Sequence, residues 1–190
     1  MKSEKITVTS TGKGMAEALA TTVDTAANCG LTGKDAIRLK LLSEETLGML
    51  RQITGEVSAV FWIESEGKRF ELHLAAQPVI TETMRAELLS VSSSGKNAAA
   101  VGLMGKLKDI FERAIAVRES GMANVATAKS VNWSMKEYKT VVEQQMAEDT
   151  RTREEWDELE KSIVANIADE VTVAIRGGKV EMTVYKQFDS

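Results

Sequence analysis

The sequence has little of three residue types on which many functional sites depend. Its 190 residues include one cysteine, one histidine and one proline. The lone cysteine, Cys29, excludes an intramolecular disulfide and is interpreted as a small buried residue rather than a nucleophile. The lone histidine, His73, excludes most histidine-based triads and metal sites, and we expect it to face solvent from a strand. The single proline, Pro78, is expected to close that strand.

Strong charge and long apolar runs are also missing. The net charge is −4, so the chain lacks the basic footprint of a nucleic-acid-binding protein. No apolar run approaches the length of a membrane span, and residues 1–6 lack the apolar core of a signal peptide. We therefore expect a cytoplasmic protein that folds as one domain, residues 1–190, without a nucleic-acid or membrane partner.

The most informative stretch is residues 32–53, whose spacing predicts one long helix. Its broad apolar face carries Leu39, Leu42, Met49, Leu50 and Ile53, and a narrower opposite line carries Ile37, Leu41, Glu44 and Gly48. A helix that is apolar on two sides is usually covered on both. Glu44 within the second line is either a site carboxylate or a surface residue paired with Lys40 or Arg51.

The remaining patterns predict the order β-α-α-β-β, a helical middle, and then α-β-β. Strands are predicted at 5–10, 56–64, 68–76, 170–176 and 179–186, with hairpin turns at 65–67 and at Gly177-Gly178. Helices are predicted at 13–29, from Ser134 and from Thr152, the last two starting with capping boxes. This order predicts an α+β two-layer sandwich, a mixed five-stranded sheet with helices on one face.

Residues 81–152 exceed what this sandwich needs. Their patterns predict a short helix at 81–91, a loop at 92–97, an amphipathic helix at 101–118 and an irregular or weakly helical stretch at 122–133. We interpret the whole as a helical lid or insertion.

The element order resembles the histidine-kinase-like (GHKL, or Bergerat-fold) ATPase domains, most of all the compact bacterial type found in anti-sigma factor serine kinases. Four stretches carry the resemblance. They are the opening strand and helix, the helix segment 39–48, the two strands after it, and the helix 159–168 with the closing Gly-Gly hairpin.

The resemblance implies roles for several positions. Glu44 matches the glutamate that orients the attacking group, whereas Gly48 and Ala76 stand where the family has its magnesium-binding asparagine and its adenine-reading aspartate. The place of the phosphate-contacting lid is taken by Lys96, Asn97, Gly102 and Gly105. An ordinary polar loop is the alternative interpretation of Lys96 and Asn97.

The missing asparagine and aspartate argue against efficient ATP chemistry. Our first hypothesis is therefore a degenerate GHKL-type regulatory domain, not an enzyme, that acts through contacts with a protein partner; a homodimer stays open. The alternative is an ATP-binding kinase or ATPase of this type with rearranged ligands, which would use ATP and Mg²⁺. The first predicts that the nucleotide cavity is shallow or filled by apolar side chains from 35–53 and 95–115. The second predicts an open cavity beside Glu44, with Lys96 or Asn97 supplying the lost contacts.

Overall fold

The computed structural model describes residues 1–52, 57–78, 132–145, 150–176 and 179–189, together with Gly105 and Ile110. Six strands and five helices lie in these ranges. They are β1 Ile6–Thr9, α1 Met15–Asn28, α2 Gly33–Gln52, β2 Val57–Glu66, β3 Arg69–Pro78, β4 Asn132–Ser134, α3 Met135–Gln145, α4 Thr150–Lys161, α5 Ile163–Ile167, β5 Glu170–Arg176 and β6 Lys179–Gln187. None of the described helices is both long enough and apolar enough to cross a membrane.

The strands form one sheet in the order β1-β2-β3-β6-β5-β4, and every neighbouring pair is antiparallel. The α+β class is thus confirmed, but the prediction of a mixed five-stranded sheet is wrong in direction and in number. In the chain, β1 and β2 are separated by two helices, α1 and α2, which pack against each other. Such a helical hairpin returns the chain to the end of the sheet that it left, so the next strand runs antiparallel.

The sixth strand, β4, comes from residues that the sequence pattern left at the edge of an irregular stretch. It pairs Trp133 with Val173 of β5. Three residues are too few to show the alternation of polar and apolar side chains by which strands are recognised. This part of the predicted insertion is therefore a strand of the main sheet.

The predicted cap at Ser134 is confirmed. The backbone N–H of Glu137 donates to Ser134 Oγ over 3.3 Å at the start of α3. The partner of this cap is Glu170 of β5, which accepts from Ser134 Oγ at 3.1 Å and from the Lys136 backbone at 3.2 Å. A carboxylate at a helix N-terminus satisfies free N–H groups there.

The single helix predicted from Thr152 to residue 168 is two helices. The first begins at Thr150, so Thr152 lies inside it, buried, and the predicted Thr152–Glu155 box does not start the helix. The second begins after Ser162, whose extended backbone breaks the first helix and whose hydroxyl accepts from the Ala165 N–H. Ile163, the first residue of the second helix, is 37% exposed.

One face of the sheet forms the core. Its residues are Val57, Ala59, Phe61 and Ile63 on β2, Phe70, Leu72, Leu74 and Ala76 on β3, Val171, Val173 and Ile175 on β5, and Val180, Met182 and Val184 on β6. On the central helix α2, Leu39, Leu42, Met49 and Leu50 are buried as predicted, whereas Ile53 lies outside the described residues. The alternate strand residues are half-buried or exposed, as in a sheet packed on one face.

Candidate functional site

Glu44 occupies a half-exposed position on α2. Its carboxylate lies 3.5 Å from Lys40 Nζ, one turn back on the same helix, and the two side chains are 39% and 49% exposed. Ion pairs of this kind are common on helix surfaces and contribute about 0.3–0.5 kcal/mol. The geometry is that of the surface alternative, and it leaves the carboxylate accessible to solvent.

Gly48 lies one turn beyond Glu44, where the resemblance places a metal-binding asparagine. Apart from its chain neighbours and the backbone of its own helix, a Cβ atom built at Gly48 meets no atom of the described residues within 4 Å. The glycine is therefore not required by packing, since a larger side chain would project into open space. The chain supplies no side-chain ligand atom at this position.

Replacing Gly48 with alanine should stabilise the protein. Glycine inside a helix is less favourable than alanine by about 0.5–1 kcal/mol, and nothing opposes the added methyl group. Chemical denaturation should show a gain of that size. Gly33→Ala on the same helix is the matched control, because Gly33 also faces open space but has a φ of 57°. There we expect a loss of about 1 kcal/mol, and equal effects at both sites would contradict this explanation.

Ala76, the counterpart of the adenine-reading aspartate, belongs to the apolar core. It is 1% exposed and lies between Ala59 of β2 and Val180 of β6 in the sheet. A charged side chain at this position would be buried among apolar ones. The site residue of the resemblance is thus replaced by a packing residue.

The predicted lid positions Lys96, Asn97 and Gly102 lie outside the described residues, and the prediction for them stays a prediction. Gly105 is helical and half-buried. Of the predicted site residues, only Glu44 and Gly48 are therefore shown next to each other, on one helix, while Ala76 lies on the sheet.

A second group of functional side chains, which the sequence analysis did not assemble, lies on the partly exposed face of the sheet. Trp62 of β2 and His73 of β3 are directly opposite each other in the antiparallel pair. Their rings stack in parallel, with centroids 4.7 Å apart and planes inclined by 6°. The imidazole is only 16% exposed, so the prediction of a solvent-facing histidine is wrong in this respect.

Two carboxylates approach His73 Nε2. Glu71 Oε2 lies 3.6 Å away and Glu64 Oε1 3.9 Å away, both beyond hydrogen-bond length. The Nε2 atom is buried and has no hydrogen-bond partner in the described part of the chain. The other ring nitrogen, Nδ1, lies 3.2 Å from Thr183 Oγ1 of β6. The Nδ1 atom of His73 therefore has a hydrogen-bond partner, and its Nε2 atom lies near two carboxylates without bonding to either.

Lysines complete the cluster. Lys2 Nζ donates to Glu64 Oε1 at 2.7 Å, and the Trp62 indole N–H donates to the same oxygen at 3.0 Å. Lys5 Nζ lies 4.8 Å from the centroid of the Trp62 ring, within cation–π range. We call these six residues, Lys2, Lys5, Trp62, Glu64, Glu71 and His73, the Trp62–His73 cluster.

Burial is the main influence on the charge of the histidine. It lowers the pKa of His73 below 6.5, because the imidazolium would lose hydration; the carboxylates of Glu64 and Glu71 offset this only in part. The pKa of Glu64 is also lowered, first by the hydrogen bond from Lys2 and then by that from Trp62. At neutral pH the cluster therefore contains a neutral imidazole beside charged carboxylates.

The hairpin that assembles this cluster has a different turn from the predicted one. The hairpin between β2 and β3 pairs Glu66 with Arg69, and this fixes every other pair, including Trp62 with His73 and Glu64 with Glu71. An alternating strand places Trp62 and Glu64 on one face and Glu71 and His73 on the same face of its neighbour. The predicted turn at 65–67 would instead have placed Glu64 opposite Lys68 and Trp62 opposite Phe70, so the cluster depends on the observed turn at residues 67–68.

The comparisons with known proteins give the cluster and the helix no precedent. No protein-family model, curated protein or solved structure matched the chain. Within the described ranges, no group of three or more histidine, cysteine, aspartate or glutamate side chains is placed to hold a metal ion.

The neutral histidine predicts a pH-dependent stability. Because the folded state binds this proton more weakly than the unfolded state, the free energy of unfolding should be highest above pH 6.5 and should fall as pH drops through the folded-state pKa. Urea denaturation at several pH values measures it. In His73→Gln this part of the slope should vanish, leaving only that of the carboxylates at lower pH. An identical slope in both proteins would contradict the lowered pKa.

Proposed function

We propose that this chain is a regulatory domain of GHKL type that works through contacts with a protein partner and has lost ATP chemistry. The described elements follow the order on which the resemblance rests, from β1-α1-α2-β2-β3 to the closing α5-β5-β6. Its sheet differs in having six antiparallel strands within the described ranges.

The proposal rests mainly on the narrower line of α2, at Glu44 and Gly48, where the groups needed to bind Mg²⁺ are absent or already paired. Glu44 pairs with Lys40 of its own helix, and Gly48 offers no ligand atom. Ala76 adds a core methyl group in place of a carboxylate. A site for Mg²⁺ and adenine needs the oxygen ligands that Gly48 and Ala76 have lost, so the positions that remain favour scaffold over catalyst.

The same line of α2 is also the surface that we assign to the partner. Ile37 is 60% exposed, Leu41 is partly exposed, and Gly48 faces open space. Exposed apolar side chains on a helix face suit a packed protein contact. The ion pair of Lys40 and Glu44 would lie within this surface and give it polarity.

Two matched surface variants test this assignment. Ile37→Glu places a charge on the second line of α2, whereas Val23→Glu places one on α1, where Val23 is 48% exposed. Both side chains are exposed, so both variants should keep the stability of the parent protein within about 0.5 kcal/mol. Capture from lysate of the cells that contain the protein, quantified by mass spectrometry, should lose a specific partner with Ile37→Glu and keep it with Val23→Glu. Equal capture by both variants would overturn this interface.

A second candidate function, ATP binding with rearranged ligands, is favoured by one observation. A Cβ atom at Gly48 would meet none of the described atoms within 4 Å outside its own helix backbone, which leaves room for a ligand beside α2. Open space alone supplies no ligand atoms, so we rank this alternative second. Nucleotide titration separates the two proposals.

A further inference from the structure

We propose that the Trp62–His73 cluster makes the attachment of residues 1–5 to β2 sensitive to pH. A proton on His73 weakens the ion pair between Lys2 and Glu64 and so loosens residues 1–5 from the edge of the sheet. This device is separate from the surface of α2 and does not depend on the function proposed for it.

Residues 1–5 extend the line of β1 along β2 through only a few contacts. Lys2 forms an isolated antiparallel bridge with Glu64. The Ser3 N–H donates to the Ile63 carbonyl at 2.9 Å, and the Ile63 N–H donates to Ser3 Oγ at 2.9 Å. Met1 adds two bonds to Ser65, whose N–H donates to the Met1 carbonyl at 2.7 Å and whose carbonyl accepts from the Met1 amino group. The Lys2–Glu64 ion pair, with side chains 55% and 40% exposed, adds a charged contact beside the cation–π contact of Lys5 with Trp62.

Glu64 Oε1, the oxygen that accepts from Lys2, is also the Glu64 oxygen that lies closest to His73. Glu64 Oε1 already accepts from Lys2 and from Trp62, and it lies 3.9 Å from His73 Nε2. A protonated ring must donate from Nε2, and the acceptors within reach are Glu64 Oε1 and Glu71 Oε2. A protonated ring that moves toward either carboxylate brings a positive charge close to Lys2. This charge weakens the attraction between Lys2 and Glu64.

The charged groups that act on His73 come from each described element around it. Glu64 on β2, Glu71 on β3 and Glu181 on β6 favour a proton on the ring, and Lys2 opposes it. The Glu71 carboxylate is held in turn by Arg69, at 2.7 Å. Lys2 is therefore the one group in this set that both opposes the proton and anchors a separate segment.

Thermodynamic reciprocity turns this repulsion into a coupling. If Lys2 on Glu64 lowers the proton affinity of His73 by some factor, then a proton on His73 lowers the occupancy of Lys2 on Glu64 by the same factor. For two charges in partly exposed positions we expect about a two- to fourfold effect at low salt, which added salt should reduce. Trp62, stacked on the ring, would report the event optically.

The test uses the fact that His73 is the only histidine in the chain. Its ring resonances can be followed by NMR titration without assignment ambiguity. Lys2→Gln should raise the pKa of His73 by the logarithm of the coupling factor, and Lys13→Gln, a lysine change outside the cluster, should not. Both variants change one surface lysine, so their net charges are equal.

The second arm measures the attachment itself. Hydrogen exchange at the Ser3 amide, which donates to Ile63, should quicken as pH falls through the titration of His73, after correction for the intrinsic pH dependence of exchange. The increase should match the factor from the NMR titration and should be absent in His73→Gln. An unchanged pKa in Lys2→Gln, or exchange at Ser3 that ignores the His73 titration, would overturn the proposal.

Discussion

Replacing Gly14 with alanine should destabilise the protein by about 3 kcal/mol or more. Gly14 precedes α1 with a φ of 76°, in the left-handed region. A Cβ atom there would lie 2.0 Å from the carbonyl oxygen of Thr7, a backbone atom of β1 that is fixed in the sheet. Strain and clash therefore act together, and relief requires the first helix to move away from the edge strand.

Gly67→Ala is the matched control for this expectation. Gly67 has a φ of 57° in the β2–β3 turn but faces open space, so it retains the backbone strain and omits the clash. Its cost should be about 1–2 kcal/mol. Urea denaturation measures both variants. If Gly14→Ala cost no more than Gly67→Ala, the close packing of Gly14 against β1 would be wrong.

The second large effect concerns two threonines in the hairpin of α1 and α2, whose replacement by valine should change stability in opposite directions. Thr22 of α1 donates to the Ala18 carbonyl at 2.9 Å, and its hydroxyl lies 3.0 Å from Ser43 Oγ of α2. Thr46, one turn along α2, is fully buried, and its hydroxyl has no partner among the described residues. The same change, threonine to valine, removes a satisfied hydroxyl at one site and an unsatisfied one at the other.

Thr22→Val should therefore destabilise the protein by about 1–3 kcal/mol, because it leaves the buried Ser43 hydroxyl without Thr22. Thr46→Val should stabilise it by about 1 kcal/mol or more, since a buried hydroxyl without a hydrogen bond is unfavourable. Chemical denaturation of the two variants gives both values. A loss at both sites would show that Thr46 is satisfied in solution, and a gain at both would remove the Thr22–Ser43 contact as a stabilising feature.

The parts of the fold that the sequence could predict are those determined by local patterns, such as helical periodicity and a tight turn. The start of the central helix was placed within one residue, because twenty residues of consistent spacing leave little choice, whereas its predicted last residue, Ile53, lies outside the described residues. The pairing of β5 with β6, Arg176 opposite Lys179, follows from the Gly-Gly turn that lies between them. Residues 177 and 178 themselves lie outside the described residues.

The features that could not be predicted depend on tertiary contacts or on single residues. The strand β4 exists because Trp133 pairs with Val173, a partner 40 residues away in the chain. The break at Ser162 needs one residue in an extended conformation within a stretch that otherwise reads as helix. Strand direction followed from how α1 packs on α2, which no local pattern reports.

The candidate sites show the same division. The position of Glu44 and Gly48 on one face follows from helical spacing, but the pairing of Glu44 with Lys40 was one of two alternatives until the contact was seen. The Trp62–His73 cluster depends on strand register, which the hairpin determines. Burial of the His73 ring, and hence the direction of its pKa, required the packed side chains.

The most direct test of the central claim is a nucleotide titration monitored by thermal unfolding. ATP and ADP, each with and without Mg²⁺, would be added up to millimolar concentration to the unmodified chain and to two variants, Glu44→Gln and Glu45→Gln. A ligand at 100 times its Kd stabilises the folded state by about 2.7 kcal/mol, which is a readily measured rise in Tm. The proposed regulatory domain predicts no rise in any of the three proteins. A rise that is lost in Glu44→Gln and kept in Glu45→Gln would contradict it and restore Glu44 to a nucleotide site.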